Sequence, residues 1–543
     1  MSLAGKSYED IRANFRWQIP SRFNIADAVC DRHVGADRTA LTFETGDGKV
    51  LNLTFEQLQA RSQRLANALA AHGVVRGDRI GILLPQCPEA LIAHLAAYRI
   101  GAIALPLFTL FGPEALEYRL NDSGARAVVS NTAGIEKILA LGDKLAAAPL
   151  LIGIEDRVAD KVLGWDALLE AASSQQRCVD TAAEDPAIIV YTSGTTGNPK
   201  GVLYAHRVLL GHMPGVELPH DFFPQPGDRM WTPADWAWAG GLMDVLLPSL
   251  FHGVPVVAKR LAKFDPDEAY ALLARHKVRN AFMPPTALKM MRQVPNPQAK
   301  HDYAMRSIAS GGERLGEEML DWGRATFGLT MNEFYGQTEA NLTVGNCAVI
   351  MGLRPGSMGR AIPGHTVEVI DEDGQPVKPG DTGSIAVKTP DPVFFLRYWN
   401  KPEATRDKFR GDWLLTGDLG HRDADGYFWF HGRDDDVIIS GGYRIGPTEI
   451  EDCLMRHPAV AMVAVIGVPD KVRGEVVKAY IVPRQGIAID DKLQADVQSF
   501  VKSRLSAHEY PRQIEFRQSL PMTITGKIRR KDLRDEIVAK GGA

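Results

Sequence analysis

Residues 187–202 read AIIVYTSGTTGNPKGV. An apolar, β-branched lead suited to a buried strand runs into a stretch of hydroxyls and glycines that ends at Lys200. A Walker-A loop places four residues between its first glycine and its Gly-Lys pair. Here only two residues separate Gly194 from Gly197, Lys200 follows Pro199, and the next residue is Gly201 rather than Ser or Thr. The spacing excludes that loop, but its chemistry survives. Small residues let backbone N–H groups approach an anion, hydroxyls add donors, and Lys200 adds positive charge. A solvated turn draws on the same Gly, Asn and Pro, so composition by itself leaves both readings open.

Working outward, residues 54–150 alternate helical and strand patterns. FEQLQARSQRLANALAAHG carries Leu58, Leu65 and Leu69 at helical spacing and stops at Gly73. RIGILLP then reads as a buried strand and EALIAHLAAYRIGA as a helix. This alternation predicts parallel α/β layers, and it returns from residue 187 to about residue 330. From 350 to 432 the pattern shortens: HTVEVID and GSIAVKT flank DEDGQPVKPGDTG, as in the hairpins of a small β-barrel. After the charged, glycine-rich crossing 432–447, PTEIEDCLMRHPAV predicts a helix, and AMVAVIGVP and VVKAYIVP predict strands. The fold class read from this is α/β and α+β: a large N-terminal region of layered α/β subdomains plus the barrel (1–434), then a small mobile α+β domain (435–543).

With 543 residues the chain is too long for one hydrophobic core. Its 45% apolar and 24% charged residues are ordinary for a globular enzyme, and a net charge of −4 gives no pull toward nucleic acid. Cys30, Cys87, Cys178, Cys347 and Cys453 are scattered and never form CxxC, which fits neither a disulfide framework nor a zinc site. The N-terminal stretch has no apolar signal core, and no apolar run reaches the ~20 residues of a membrane span. The expected location is cytoplasmic.

YTSGTTGNPKGV resembles the signature of the adenylate-forming superfamily. Further blocks occur in that superfamily's order: GGERL (311–315), EFYGQTE (333–339), TGDLG (416–420), GRDDDVIISGGYRIGP (432–447) and PMTITGKIRR (521–530). The resemblance covers nearly the whole chain and leans toward the medium-chain acyl-CoA synthetases, to which FRWQIPSRFNIADAVCDRH and FMPPTALKMM are similar.

The resemblance implies two half-reactions. A carboxylate attacks the α-phosphorus of ATP to give acyl-AMP and pyrophosphate, and the thiol of coenzyme A then displaces AMP. Thr192, Ser193, Gly194, Thr195, Thr196, Gly197, Asn198, Pro199 and Lys200 would cradle the β- and γ-phosphates. Glu339, with Thr196, would hold Mg²⁺, a hard ion suited to oxygen ligands. Gly312, Glu313 and Arg314 would line adenine and ribose. Glu333, Phe334, Tyr335, Gly336, Gln337 and Thr338 would continue that site, with Tyr335 against the base. Asp418 would accept from the ribose hydroxyls, joined by Arg433, and Arg444 would reach phosphate. Lys527 would offset charge at the α-phosphate.

The same resemblance makes Asp435 a hinge about which the small domain turns between halves. Gly441, Gly442 and Tyr443 would then line a tunnel for the thiol, with Arg473, Lys502 and Tyr510 contacting coenzyme A. PADWAWAGG aligns with an acyl-pocket segment, so Trp238 would be a wall, with Ala239, Gly240 and Gly336 small beside it. Acetyl-CoA synthetases carry tryptophan where Gly336 stands, so this pocket should take more than acetate. Acylation of Lys527 is an implied regulation. Met522 occupies the position of a lysine usual in such sites, which weakens that implication. Two other readings remain: an adenylating enzyme that loads a carrier protein, and a non-catalytic ATP sensor.

Overall fold

The computed structural model describes residues 3–155, 159–192, 199–260, 263–313, 315–433, 436, 438–440, 443–470, 474–505, 510–523 and 527–541. By its contacts the chain divides into one unit of residues 1–367 with 387–412 and a second of residues 368–386 with 413–543.

The first unit is built on two sheets. One runs in the order Arg397–Tyr398, Lys200–Ala205, Pro186–Thr192, Ile103–Pro106, Arg79–Leu83, Ala127–Ser130, Leu150–Gly153 and Val162–Gly164. It is parallel from Pro186–Thr192 to Val162–Gly164 and antiparallel at the other edge. Its strands are short apolar runs because both faces are covered, with Leu83, Leu105, Val128, Ile189 and Leu203 in one core. The predicted helix is Phe55–Ala71, opened by a capping box of Thr54 and Gln57, with Leu58, Leu65 and Leu69 buried. RIGILLP supplies the strand Arg79–Leu83, and the next helix is Pro88–Arg99.

The other sheet of this unit runs Gly359–Ala361, Ala340–Gly345, Asn332–Gln337, Ser307–Gly311, Asn280–Phe282, Met230–Trp231, Val256–Lys259, Thr39–Glu44 and Val50–Thr54. Its middle is parallel and its ends are antiparallel. Trp231, Tyr270, Met283, Leu288, Ile308 and Met331 fill the core beneath it.

In the second unit the strands read as a small barrel are neighbours in the order Val367–Ile370, Gly383–Lys388, Trp413–Arg422 and Tyr427–Arg433. A separate sheet runs Tyr443–Ile445, Ile438–Ser440, Gly474–Pro483 and Val460–Asp470, with Gln513–Phe516 parallel to Gly474–Pro483. Val463 and Val465 face one core, shared with Val497 and Val501 of the helix Asp491–Lys502. Ala464, Ile466 and Val468 face another, shared with Leu533 of the helix Arg530–Gly541. Helices on both faces explain why AMVAVIGV is apolar without interruption.

Among the described residues no helix is long and apolar enough to cross a membrane.

Candidate active site

The glycine-rich loop joins two strands, Pro186–Thr192 before it and Lys200–Ala205 after it, paired antiparallel with Thr192 opposite Lys200. A Walker-A loop would run into a helix here. Ser193, Gly194, Thr195, Thr196, Gly197 and Asn198 lie outside the described residues. The loop's flanks are held: Tyr118 donates its hydroxyl to the Pro199 carbonyl at 3.0 Å, and Tyr191 donates to Asp122 Oδ2 at 2.6 Å. Thr192 Oγ1 lies 3.4 Å from the Lys200 carbonyl.

EFYGQTE forms the first strand and turn of a hairpin, Asn332–Gln337 against Ala340–Gly345, with a bulge between Tyr335 and Gln337. Glu339 sits at that turn, 9% exposed. Its Oε1 accepts from the Tyr398 hydroxyl, and its Oε2 has no partner among the described residues. Tyr398 belongs to the other sheet, opposite Val202, and the Lys200 ammonium stands 5.0 Å from the centre of its ring. Lys200 and Glu339, far apart in sequence, thus meet around one tyrosine that motif reading missed. Tyr204 donates to the Thr338 carbonyl, the Phe395 N–H donates to the Glu339 carbonyl at 3.1 Å, and Lys408 Nζ donates to Gln337 Oε1 at 2.8 Å.

Two other residues of these blocks are packed within the unit. Phe334 is buried, stacked on Phe282 with centroids 5.3 Å apart. Glu333 is buried and takes the Leu315 N–H at 3.4 Å. Gly312 has φ +92°, a region open to glycine, while Glu313 faces Lys289 at 3.6 Å. Tyr335 is half-buried. Arg314 lies outside the described residues.

Gly336 is small for a reason the sequence did not show. A Cβ there would lie 2.2 Å from the Leu342 nitrogen and 2.7 Å from the Asn341 Cα. The hairpin's own backbone fills the space, so glycine at 336 is demanded by the bulge, whatever the pocket contains. Trp238 packs its ring near Phe108, with centroids 5.5 Å apart, and Trp238, Ala239 and Gly240 are partly exposed between buried neighbours. The chain then turns through Ala239–Gly241 into a π-helical stretch, Leu242–Leu246. Asp244 of that stretch accepts from Asn341 Nδ2 at 2.7 Å, which ties the Trp238–Gly240 turn to the hairpin of Gly336 and Glu339.

In the second unit Asp418 and Arg433 are cross-strand partners, with Arg433 Nη1 3.2 Å from Asp418 Oδ1. Asp418 is 5% exposed, and its N–H bonds Thr416 Oγ1 at 3.1 Å. Lys527 is exposed and is tied back to Thr523: its N–H bonds Thr523 Oγ1 at 2.9 Å, and its carbonyl accepts from the Thr523 N–H at 2.6 Å. Arg530 anchors that segment on Glu451 and on Asp436, 3.2 Å away. Lys502 lies 5.6 Å from the Tyr510 ring, with Arg512, a cation the motifs did not mark, 5.0 Å from the same ring. Asp435, Gly441, Gly442 and Arg473 lie outside the described residues, as do the side chains of Tyr443 and Arg444. The strands Ile438–Ser440 and Tyr443–Ile445 pair antiparallel.

No group of three or more His, Cys, Asp or Glu side chains placed to hold a metal ion occurs among the described residues. Mg²⁺ needs no such cage, because it binds through one or two carboxylates together with substrate phosphates and water. Glu339, with one oxygen uncommitted among the described residues, fits that demand.

Residues 28–399 match the AMP-binding enzyme family, and residues 449–527 match the AMP-binding enzyme C-terminal domain. The chain is 36% identical to the acyl-coenzyme A synthetase ACSM2B, mitochondrial, of Homo sapiens, over 96% of this chain and 92% of that one. It is also 36% identical to an uncharacterized acyl–CoA ligase, YtcI, of Bacillus subtilis, over 95% of this chain and 96% of that one. Among solved structures, an acyl-CoA synthetase of Brucella canis matches with a TM-score of 0.77 at 35% identity, over 98% of this chain and 99% of that one. The anthranilate CoA ligase AuaEII in complex with anthranoyl-AMP matches with a TM-score of 0.88 at 28% identity, over 97% and 99%. The chain therefore belongs to the AMP-binding enzyme family, among its acyl-CoA synthetases.

Proposed function

We propose that this synthetase joins a short- to medium-chain carboxylic acid to coenzyme A at the expense of ATP. A carboxylate oxygen attacks the α-phosphorus, the C–O–P link forms, and pyrophosphate leaves. The sulfur of coenzyme A then attacks the acyl carbon, AMP departs with the bonding pair, and the thiol proton passes to solvent. The observation that supports this most is the meeting of Lys200 and Glu339 at Tyr398: a cation suited to phosphate beside a carboxylate suited to a hard ion. Mg²⁺ there would supply charge neutralisation for the phosphates.

The residue roles drawn from the motifs belong to the same proposal. Thr192–Lys200 cradle phosphate, Tyr335 faces adenine, and Gly312–Arg314 line the base and ribose. Asp418 and Arg433 serve the ribose, and Lys527 serves the α-phosphate. Gly441–Tyr443, Arg473, Lys502 and Tyr510 serve coenzyme A, with Asp435 as the hinge between 1–434 and 435–543. The cation–aromatic cluster of Lys502, Tyr510 and Arg512 supports an anionic ligand near them. Exposure of Lys527 supports its acylation as a control. Five cysteines without a disulfide support a reducing, cytoplasmic setting.

The test is CoA-dependent AMP formation over acids from acetate through octanoate to benzoate. The proposal expects AMP and thioester in equal amounts with at least one acid. Thioester formed only on a holo-carrier protein, or no pyrophosphate with any acid, would overturn it.

A further inference from the structure

Asp244 is 4% exposed, yet the reaction as proposed gives it no part. Its Oδ1 takes the Asn341 amide at 2.7 Å. Its Oδ2 has no hydrogen-bond partner among the described residues and lies 3.8 Å from where a Cβ on Gly240 would stand. Gly240 is partly exposed, one helical turn before Asp244 on the same side, with the Phe282 ring 2.8 Å from that Cβ position. A second buried polar atom lies close by: His212 Nε2 is 4.0 Å from Asp244 Oδ1 and has no hydrogen-bond partner among the described residues. His212 Nδ1 is committed to the Val208 carbonyl at 2.8 Å, which leaves Nε2 as an acceptor.

The stretch Leu242–Leu246 that carries Asp244 is π-helical, a rare local form that is frequent at functional sites. A carboxyl buried with one oxygen unpaired is costly unless something pairs it. Burial pushes its acidity well below that of an ordinary aspartic acid, which suits a neutral group that both donates and accepts. A plain alkyl chain beside Gly240 would leave that oxygen unsatisfied. A chain bearing a hydroxyl or amino group would satisfy it.

We infer that Asp244 sets substrate choice: the acid activated carries a hydrogen-bonding hydroxyl or amino group on its chain or ring, and Asp244 Oδ2 receives it beside Gly240. This rests on the placing of the acyl pocket at Trp238–Gly240 under the proposed function. Asp244 acts on specificity and has no part in the chemical steps.

The experiment compares kcat/KM for CoA-dependent AMP formation by the full-length enzyme on isosteric sets. One set is pentanoate, 4-hydroxybutyrate and 4-aminobutyrate; the other is 4-methylbenzoate, 4-hydroxybenzoate and 4-aminobenzoate. The expected result is that, in at least one set, a hydroxyl or amino member exceeds its methyl isostere by about tenfold or more. Asp244→Leu should abolish or reverse that ratio while activity on the methyl member persists. Asp244→Asn, which keeps the acceptor for Asn341, should retain the hydroxyl preference and lose much of any amino preference. Methyl members used as well as or better than every polar member by the wild type would overturn the inference, even if Asp244→Leu does not fold. So would an unchanged ratio in a folded Asp244→Leu. Robust turnover of methyl members leaves the ligase function standing while this inference falls; no turnover of any acid overturns the ligase function and the inference with it.

Discussion

The Tyr398 hydroxyl donates to the Glu339 carboxylate, and the same ring lies 5.0 Å from the Lys200 ammonium. One tyrosine therefore orients the proposed metal-binding carboxylate of one sheet while packing against Lys200, which closes the proposed phosphate loop of the other. Tyr398→Phe keeps the ring and removes the bond. A hydrogen bond to a charged group is worth about 1.5–3 kcal/mol, so pyrophosphate release should fall roughly tenfold or more, with a raised Mg²⁺ requirement. Glu339→Gln, which keeps an acceptor for Tyr398 but removes the charge, should be more severe. A Mg²⁺ titration of single-turnover pyrophosphate release checks both. Wild-type curves for Tyr398→Phe would reduce Tyr398 to packing.

Gly336→Ala should destabilise the protein by about 1–3 kcal/mol or more, because the added Cβ meets backbone atoms that cannot swing aside. Gly46→Ala, where a Cβ would have nothing within 4 Å, is the control. Urea unfolding of the two variants gives the comparison. Equal stability would mean that the hairpin has room and that glycine at 336 serves the pocket. The same clash makes Gly336→Trp a poor probe of acyl-chain length.

Lys527 and Asp435 should separate the two half-reactions. Under the proposed role of Lys527 at the α-phosphate, Lys527→Ala removes an electrostatic contact from the adenylation step, a loss that typically slows such a step ~10²–10³-fold. It should still convert supplied acyl-AMP and coenzyme A to thioester. Asp435→Pro should do the reverse, since proline fixes φ and cannot follow a hinge. Each half-reaction is run separately on each variant. Equal loss of both halves in a folded Lys527→Ala, or wild-type transfer by Asp435→Pro, would exclude domain alternation.

Stability should fall on mild acidification. His94, His206, His212 and His220 are fully buried, and burial drives their pKa values down to about 3, 4, 4 and 3. Each folded value lies below the unfolded 6.5, so the unfolded chain takes up protons first. The stability they carry is complete above pH 6.5 and is lost progressively as the pH drops toward 4 and, for His94 and His220, toward 3. At pH 5 each contributes a loss of ~2 kcal/mol. Asp235, raised by burial to about 6, works in the opposite sense, gaining stability as pH falls from 6 toward 4, and so does Asp244, which burial also raises; these carboxyls offset part of the loss from the four histidines. Urea midpoints at pH 7 and pH 5 test the sign. His94→Gln should remove about one proton from the slope; a flat midpoint in the wild type would contradict the assignment.

What was legible in the sequence was local. Leu58, Leu65 and Leu69 repeat at helical spacing, and they are buried on one face of Phe55–Ala71. AMVAVIGV is apolar throughout, and it is a strand covered on both faces. Contiguous motifs marked Lys200, Glu339, Asp418 and Lys527 because each sits in a short run of small or charged residues that secondary structure alone would not demand. Tertiary structure decided what stands beside them. Tyr398 is 59 residues from Glu339, and Asp244 is 97 residues from Asn341. Each pair meets because separate elements bring it together, and a lone tyrosine or a buried aspartate carries no mark of its partner in the chain. Gly336 shows the same limit: its smallness was plain in sequence, but only the folded hairpin shows that the neighbouring backbone, 2.2 Å from any added Cβ, requires it.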